Sequence, residues 1–590
     1  MPLQLHRTPP PAPPGPDVFL PFTDIAVSMS GGGFRSAAYG LGCLAYLQRR
    51  KYDGLTLLER VKFIVAASGG AMTGILFSAY NHMGIPFKTT YNHLRNNIFS
   101  GDKILREAAR IVRDDNAWKN DPTKNRNTIN AFAKAYQNLA FDGLTFDVYT
   151  QNNKRTLEQV SFNASELENG RAFRFETDGW DTTNEILGNR YLRVKDNNSP
   201  AVKKLRLGDI MAASSCFPAG FEPMVFPDDF AEDEEHKAQL QSEMEIAKNY
   251  DWESYVPFTG SVALMDGGIT DNQGIEGLKL ANDRRLKAHG RGYDLNLICD
   301  VANYFMDPFE PLKEEKSWWS GITLTAIINA HKYAYVIFGV SVVMIIANIW
   351  ADVAWIMATV SAIMFALFLF GRYALLRKPD SVAANSNNQK SRAQESMWDL
   401  PVSLFLDFFL QNPLSKTEMM LKVRIRSALR VAMEIYLLQI RRINYDSLYT
   451  NPEWAYKTKA VSIYELSKSN ENVLQRQFER KKFDADKVKL LTPSAAIMNV
   501  AETARQMGTT LWFPEMTNST ETNVRDSLIA CGQFTMCYNL LEYILQIEEY
   551  YPTVLQDAGF QQLKKEILED WATFQKDPEF MIEDFDKVIG

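Results

Sequence analysis

The hydrophobic pattern near the N-terminus repeats one arrangement twice: a short apolar run, a glycine-rich turn and a helical stretch. Ile25–Met29 is the first run, Ser30-Gly31-Gly32-Gly33-Phe34-Arg35 the turn, and Ala37–Leu47 the predicted helix. Val61–Ala67 is the second run. Ser68 stands at its end, Gly69-Gly70 turn the chain, and Ala71–Tyr80 reads as a helix. Continuous apolar runs bounded by glycine suit strands buried on both faces of a parallel sheet. Glu158–Ala164 and Ala172–Thr177 flank a Gly-bearing turn and predict a hairpin. Leu207–Ala213 predicts a short helix. Val262–Met265 predicts a strand ending in Asp266-Gly267-Gly268, and Leu295–Val301 a buried strand. Lys459–Leu466 reads as a further strand, and Ser494–Gln506 and Asn523–Ile547 as helices. Strands alternating with helices predict an α/β sandwich with a largely parallel sheet.

One apolar stretch departs from this pattern. From Tyr333 to Phe370 the only formal charge is Asp352, near the middle. One helix of that length would far exceed a hydrocarbon core of about 30 Å, whereas two helices of about 18 residues would each cross it. The expectation is an inserted transmembrane or membrane-associated helical hairpin over about 333–371, with Asp352 at its turn. His331 and Lys332 before it and Arg372, Arg377 and Lys378 after it place both basic flanks on one side, the cytoplasmic one by the positive-inside tendency. Asn385–Glu395 is a polar linker, and Pro401–Leu410 reads as a membrane-surface helix. Met419–Ile443 has helical periodicity, with Arg424, Arg426, Arg430, Arg441 and Arg442 among apolar residues; such arginines are read as solvated or paired. Asp228–Glu235 reads as a solvated acidic insertion.

Composition narrows the function. With 590 residues the chain has ample length for a large core, and a net charge of −7 gives no reason to expect nucleic acid as a partner. The five cysteines form neither a C-x-x-C pair nor a Cys/His cluster, so no zinc or other metal is expected, and free thiols in a reducing compartment are. Met1–Pro16 is a Pro-rich lead-in without a basic-then-apolar leader, so the main body is expected to face the cytoplasm.

The chemistry converges on the turns. A serine wedged between strand and helix among small residues is the nucleophile-elbow arrangement. A glycine run ending a neighbouring strand can aim backbone N–H groups at a developing oxyanion. The nucleophile then needs a base, and the six histidines offer little: His6 lies in the Pro-rich tail, His236 in the acidic stretch, His331 beside the apolar run, His82 and His93 in the helical region after the elbow, and His289 in a basic loop. Asp266, ending a short strand before two glycines, is the better base. In a parallel sheet, strand ends converge on one edge, where Ser68, the glycine run and Asp266 would meet.

Together these residues resemble the patatin-like phospholipases and, more distantly, the cytosolic group IV phospholipases. The matching motifs are Ser30-Gly31-Gly32-Gly33-Phe34-Arg35, Ala67-Ser68-Gly69-Gly70 and Asp266-Gly267-Gly268. Ala212-Ala213-Ser214-Ser215-Cys216-Phe217-Pro218 looks like the family's segment before its aspartate, and Phe162-Asn163-Ala164 with Gly170-Arg171 like its middle strand pair. The resemblance implies a three-layer α/β/α sandwich, with residues 1–20 as lead-in, 21–305 as core, 306–415 as a membrane-associated insertion and 416–590 as a mainly helical continuation. It implies a Ser68–Asp266 dyad without histidine or cofactor, an oxyanion hole from Gly31, Gly32 and Gly33, and an acyl-enzyme formed from a membrane phospholipid. Gly69, Gly70, Gly267 and Gly268 support the turns, and Arg35 is expected to hold a lipid phosphate or to orient the glycine loop. Ala66 departs from the usual pattern, standing where the first glycine of G-x-S-x-G belongs. Two other readings stay open: a membrane-anchored scaffold on a degenerate hydrolase fold, and a soluble esterase of non-lipid substrates. The sequence leaves the oligomeric state unassigned.

Overall fold

The computed structural model describes residues 21–150, 156–177, 187–196, 199–248, 251–302, 321–323, scattered positions between 326 and 359, 412–513 and 523–583. The chain divides into two units, residues 1–306 with 433–590, and residues 307–432.

The first unit is built on a mixed 12-stranded sheet. Its centre is parallel, in the order Gln159–Glu166, Val61–Ala67, Ile25–Met29, Leu295–Asp300 and Thr458–Ser462. The last of these, more than 150 residues beyond Leu295–Asp300 in sequence, pairs directly with it. Beyond Gln159–Glu166 the sheet turns antiparallel, beginning with the hairpin partner Arg171–Glu176. Alternation along the central strands feeds two cores. Val27, Met29, Ile64 and Ala66 point into the larger one, while Ala26, Phe63, Val65 and Ile298 point into a second on the opposite face. The helix Gly33–Arg49 and the long helix Val524–Tyr550 pack on the first face, and Ile275–His289 with Tyr436–Tyr449 on the second. Helices on both faces of a sheet make the expected three layers.

Val262–Asp266 does not lie among the parallel strands. It runs antiparallel to the end of Gln159–Glu166, with Asp266 opposite Ala164. The expectation that Asp266 ends a parallel strand is therefore corrected. The acidic stretch is also not simply solvated: Asp229 is fully buried and accepts hydrogen bonds from the N–H groups of Val225 and Asn125 and from the Asn130 amide. Burial raises its pKa above the ordinary carboxylate range, against those same hydrogen bonds. Arg441 is likewise buried and bonds Asp300 through Nε at 2.7 Å.

The second unit contains the helix Leu414–Arg430. Most of the apolar run Tyr333–Phe370 lies outside the described residues, and all of Pro401–Leu410 does. Among the described residues no helix is long and apolar enough to cross a membrane, so the expected two-span hairpin has no support in the structure.

Candidate active site

Both glycine turns end neighbouring strands of the parallel centre, so the sheet itself brings them together. Ser68 caps the helix Gly69–His82 with φ 50° and ψ −127°, a backbone conformation unfavourable for a residue with a side chain. The helix starts at Gly69 rather than Ala71, and Gly33–Arg49 starts at Gly33 rather than Ala37, so both helix N-termini sit on the turns. Gly69 permits this contact: a Cβ there would lie 1.9 Å from the Gly33 carbonyl oxygen.

Ser68 Oγ donates to Asp266 Oδ2 at 2.7 Å, and both residues are buried. The other carboxylate oxygen, Oδ1, accepts the Gly268 N–H at 2.7 Å. Burial raises the Asp266 pKa to about 6, against the opposing effects of the Gly268 N–H and the Ser68 hydroxyl. Such a carboxylate is a stronger proton acceptor than an exposed one and is still ionised at neutral pH.

Three of the described histidines are occupied elsewhere. His82 bonds the Ser78 carbonyl, His93 the Ala140 carbonyl and His236 the Ala201 carbonyl, while His289 is exposed at the end of its helix. Among the described residues no histidine hydrogen-bonds Ser68 or Asp266, and no cluster of side chains could hold a metal ion.

The three loop glycines are not equivalent. Gly31 N–H is directed at both the backbone oxygen and Oδ1 of Asn272, each at 3.1 Å. Phe34 N–H bonds the Thr510 carbonyl at 2.8 Å. Between them, Gly32 and Gly33 N–H have no hydrogen-bond partner among the described residues. Arg35 Nη1 donates to the Met507 carbonyl at 2.7 Å, and burial pulls its pKa down to about 10 despite the field of Asp300. This bond ties the glycine loop to the Met507–Thr510 segment. Asn272 and Thr510 escaped the sequence reading. The only signal was the polar end of Asp266-Gly-Gly-Ile-Thr-Asp-Asn272, six residues past the aspartate.

Ala66 is fully buried, and the helix opposite it carries Gly74, where an added Cβ would lie 3.1 Å from the Ala66 Cβ. The elbow's missing glycine is thus offset by a glycine on the facing helix. Gly74→Ala is expected to cost about 1–3 kcal/mol of stability through overpacking. Adding Ala66→Gly should recover part of that loss in urea unfolding.

Residues 27–279 match the patatin-like phospholipase family model. No curated protein matches the chain. Human GIVD cytosolic phospholipase A2, solved with methyl gamma-linolenyl fluorophosphonate inhibitor and terbium chloride, is similar at 13% identity and a TM-score of 0.26, over 47% of this chain and 40% of that one. The chain thus spans less than half the length of that enzyme. VipD from Legionella pneumophila is similar at 10% identity and a TM-score of 0.22, over 97% of this chain and 92% of that one. Residues 27–279 are a patatin-like phospholipase domain, and this part of the chain belongs to that enzyme family.

Proposed function

We propose that the chain is a serine acyl hydrolase of membrane phospholipids, with Ser68 as nucleophile and Asp266 as base. The observation that carries this reading is the 2.7 Å hydrogen bond from Ser68 Oγ to Asp266 Oδ2 at a strained strand–helix turn. Asp266 takes the Oγ proton as Oγ attacks the ester carbonyl carbon. Gly32 and Gly33 N–H, at the N-terminus of Gly33–Arg49, receive the resulting oxyanion; one such donor is typically worth about 3–4 kcal/mol. Gly31 serves instead as the loop's anchor on Asn272. Collapse breaks the ester C–O bond, and the departing alkoxide takes the proton from Asp266 and leaves as lysophospholipid. Water, deprotonated by Asp266, then attacks the acyl-enzyme, and fatty acid leaves as Oγ regains its proton.

The membrane part of the proposal rests on two features. One is the apolar run Tyr333–Phe370. The other is the helix Leu414–Arg430, where Leu421, Ile425 and Leu429 are exposed on one stripe and Lys422, Arg424 and Arg426 lie among them. The free, buried thiols of all five cysteines suit a reducing compartment, and we place the hydrolase unit on the cytoplasmic side.

Incubating the protein with phospholipid vesicles tests the substrate class. Lysophospholipid and free fatty acid in equal amounts are expected. Hydrolysis of a soluble short-chain ester with no products from vesicles would favour a non-lipid esterase.

A further inference from the structure

The strand carrying the nucleophile pairs in register with Gln159–Glu166 up to Ala67 opposite Asn163. Pairing stops there, because the chain swings into the positive-φ conformation of Ser68. This break leaves two buried backbone groups to satisfy, the N–H of Ser68 and the carbonyl of Asn163. One side chain meets both. Ser214 Oγ accepts the Ser68 N–H at 2.9 Å and donates to the Asn163 carbonyl at 2.7 Å. A serine hydroxyl has one proton, so donation to Asn163 turns a lone pair towards Ser68.

Ser214 also braces the base. Its carbonyl accepts the Gly267 N–H at 3.0 Å, and the Cys216 carbonyl two residues on accepts the Asp266 N–H at 2.9 Å. Ser214 is fully buried at the end of the helix Leu207–Ser214. Its neighbour Ser215 is also buried, but Ser215 Oγ donates back into its own helix, to the Met211 carbonyl at 2.8 Å.

We infer that Ser214 is a positioning residue for the Ser68–Asp266 pair, its hydroxyl wedged into the sheet where the nucleophile strand ends so that Ser68 is held in the attacking conformation. The inference rests on the hydrolase reading above. The hydroxyl substitutes for strand pairing at the one point where the elbow must leave the sheet. Without it, nothing else bonds the Ser68 N–H among the described residues, and the nucleophile loses its fixed place relative to Asp266.

Rates of labelling by a fluorophosphonate and steady-state kinetics on a soluble ester test this, with wild type, Ser214→Ala, Ser214→Cys and Ser215→Ala compared. The expected result is a fall of about 10–100-fold in labelling rate and kcat for both Ser214 variants, as misplacement of a nucleophile produces. KM should be unchanged, and Ser215→Ala should behave as wild type. Faster amide exchange at the peptide spanning Ser68 should accompany the loss. Ser214→Cys, with its weak donor and acceptor, gives the answer if Ser214→Ala does not fold. Wild-type rates in either Ser214 variant would overturn the inference, as would an equal loss in Ser215→Ala. Wild-type protein that never labels would instead defeat the hydrolase reading, and the positioning role with it.

Discussion

Ser68→Ala is expected to lower phospholipid hydrolysis by about 10⁴-fold or more while leaving the fold intact. The size of the effect follows from the chemistry. Removing Oγ removes the bond-forming atom, so no acyl-enzyme can form and only residual stabilisation by the loop N–H groups survives. The fold should tolerate the change because Ser68 contributes its backbone, not its side chain, to the packing of the elbow. Its N–H bond to Ser214 stays, and alanine occupies the same volume less one oxygen. The variant should therefore keep its urea midpoint and still bind phospholipid vesicles. Loss of both activity and folding would mean that the elbow conformation depends on the Ser68–Asp266 hydrogen bond.

Asp266→Asn is expected to reduce kcat by about 10³-fold or more, because an amide keeps the shape but cannot accept the Oγ proton. The same carboxylate should set the acid limb of the pH–rate profile. With burial raising its pKa to about 6, wild-type activity should rise with pH through that value and level off above it. The stability consequence has the opposite direction. Between the ordinary carboxylate value of 3.8 and about 6, folded Asp266 holds a proton that the unfolded chain has released. Folding stability therefore falls as pH rises through this window and stays lowered above it. Asparagine carries no such penalty. Asp266→Asn should be more stable than wild type at pH 8, by at most roughly 3 kcal/mol, with the difference shrinking towards pH 4. Urea unfolding at the two pH values measures this directly. A variant less stable than wild type at pH 8 would show that the ionised carboxylate is well solvated in the folded state.

The burial of the Asp266 carboxylate is announced only indirectly by the sequence. The strand-end placement of Ser68, Asp266 and the glycine turns was legible because small residues are conspicuous between apolar runs. The positions of the strands and helices around them followed from the same punctuation, with helices starting two to four residues earlier than the apolar pattern suggested. What stayed hidden was long-range pairing. Asp266 arrives on an antiparallel strand, which its own five residues do not distinguish from a parallel one. Ser214 and Asn272 contact the turns from 146 and 241 residues away, and no local pattern encodes such a partner. For Arg35 the resemblance left two roles open, holding a lipid phosphate or orienting the glycine loop. Its hydrogen bond to the Met507 carbonyl depends on a segment 472 residues further along. The same holds for Thr458–Ser462, whose edge position in the sheet only the fold displays.

The division of labour among the loop glycines was also out of reach. Three consecutive glycines looked equivalent, yet Gly31 is occupied by Asn272 while Gly32 and Gly33 face no partner among the described residues. Gly33 has φ +62°, and a Cβ there would come within 2.4 Å of the Thr510 carbonyl oxygen. Gly33→Ala should accordingly displace the loop and cost about 10²–10³-fold in kcat, the usual effect of losing an oxyanion donor, with a smaller change in KM.

The most direct test of the central claim is covalent labelling by a fluorophosphonate followed by mapping of the adduct. One adduct per chain is expected, located on Ser68, absent from Ser68→Ala and formed far more slowly in Asp266→Asn. Stoichiometric labelling of a different residue, or undiminished labelling of Ser68→Ala, would contradict it.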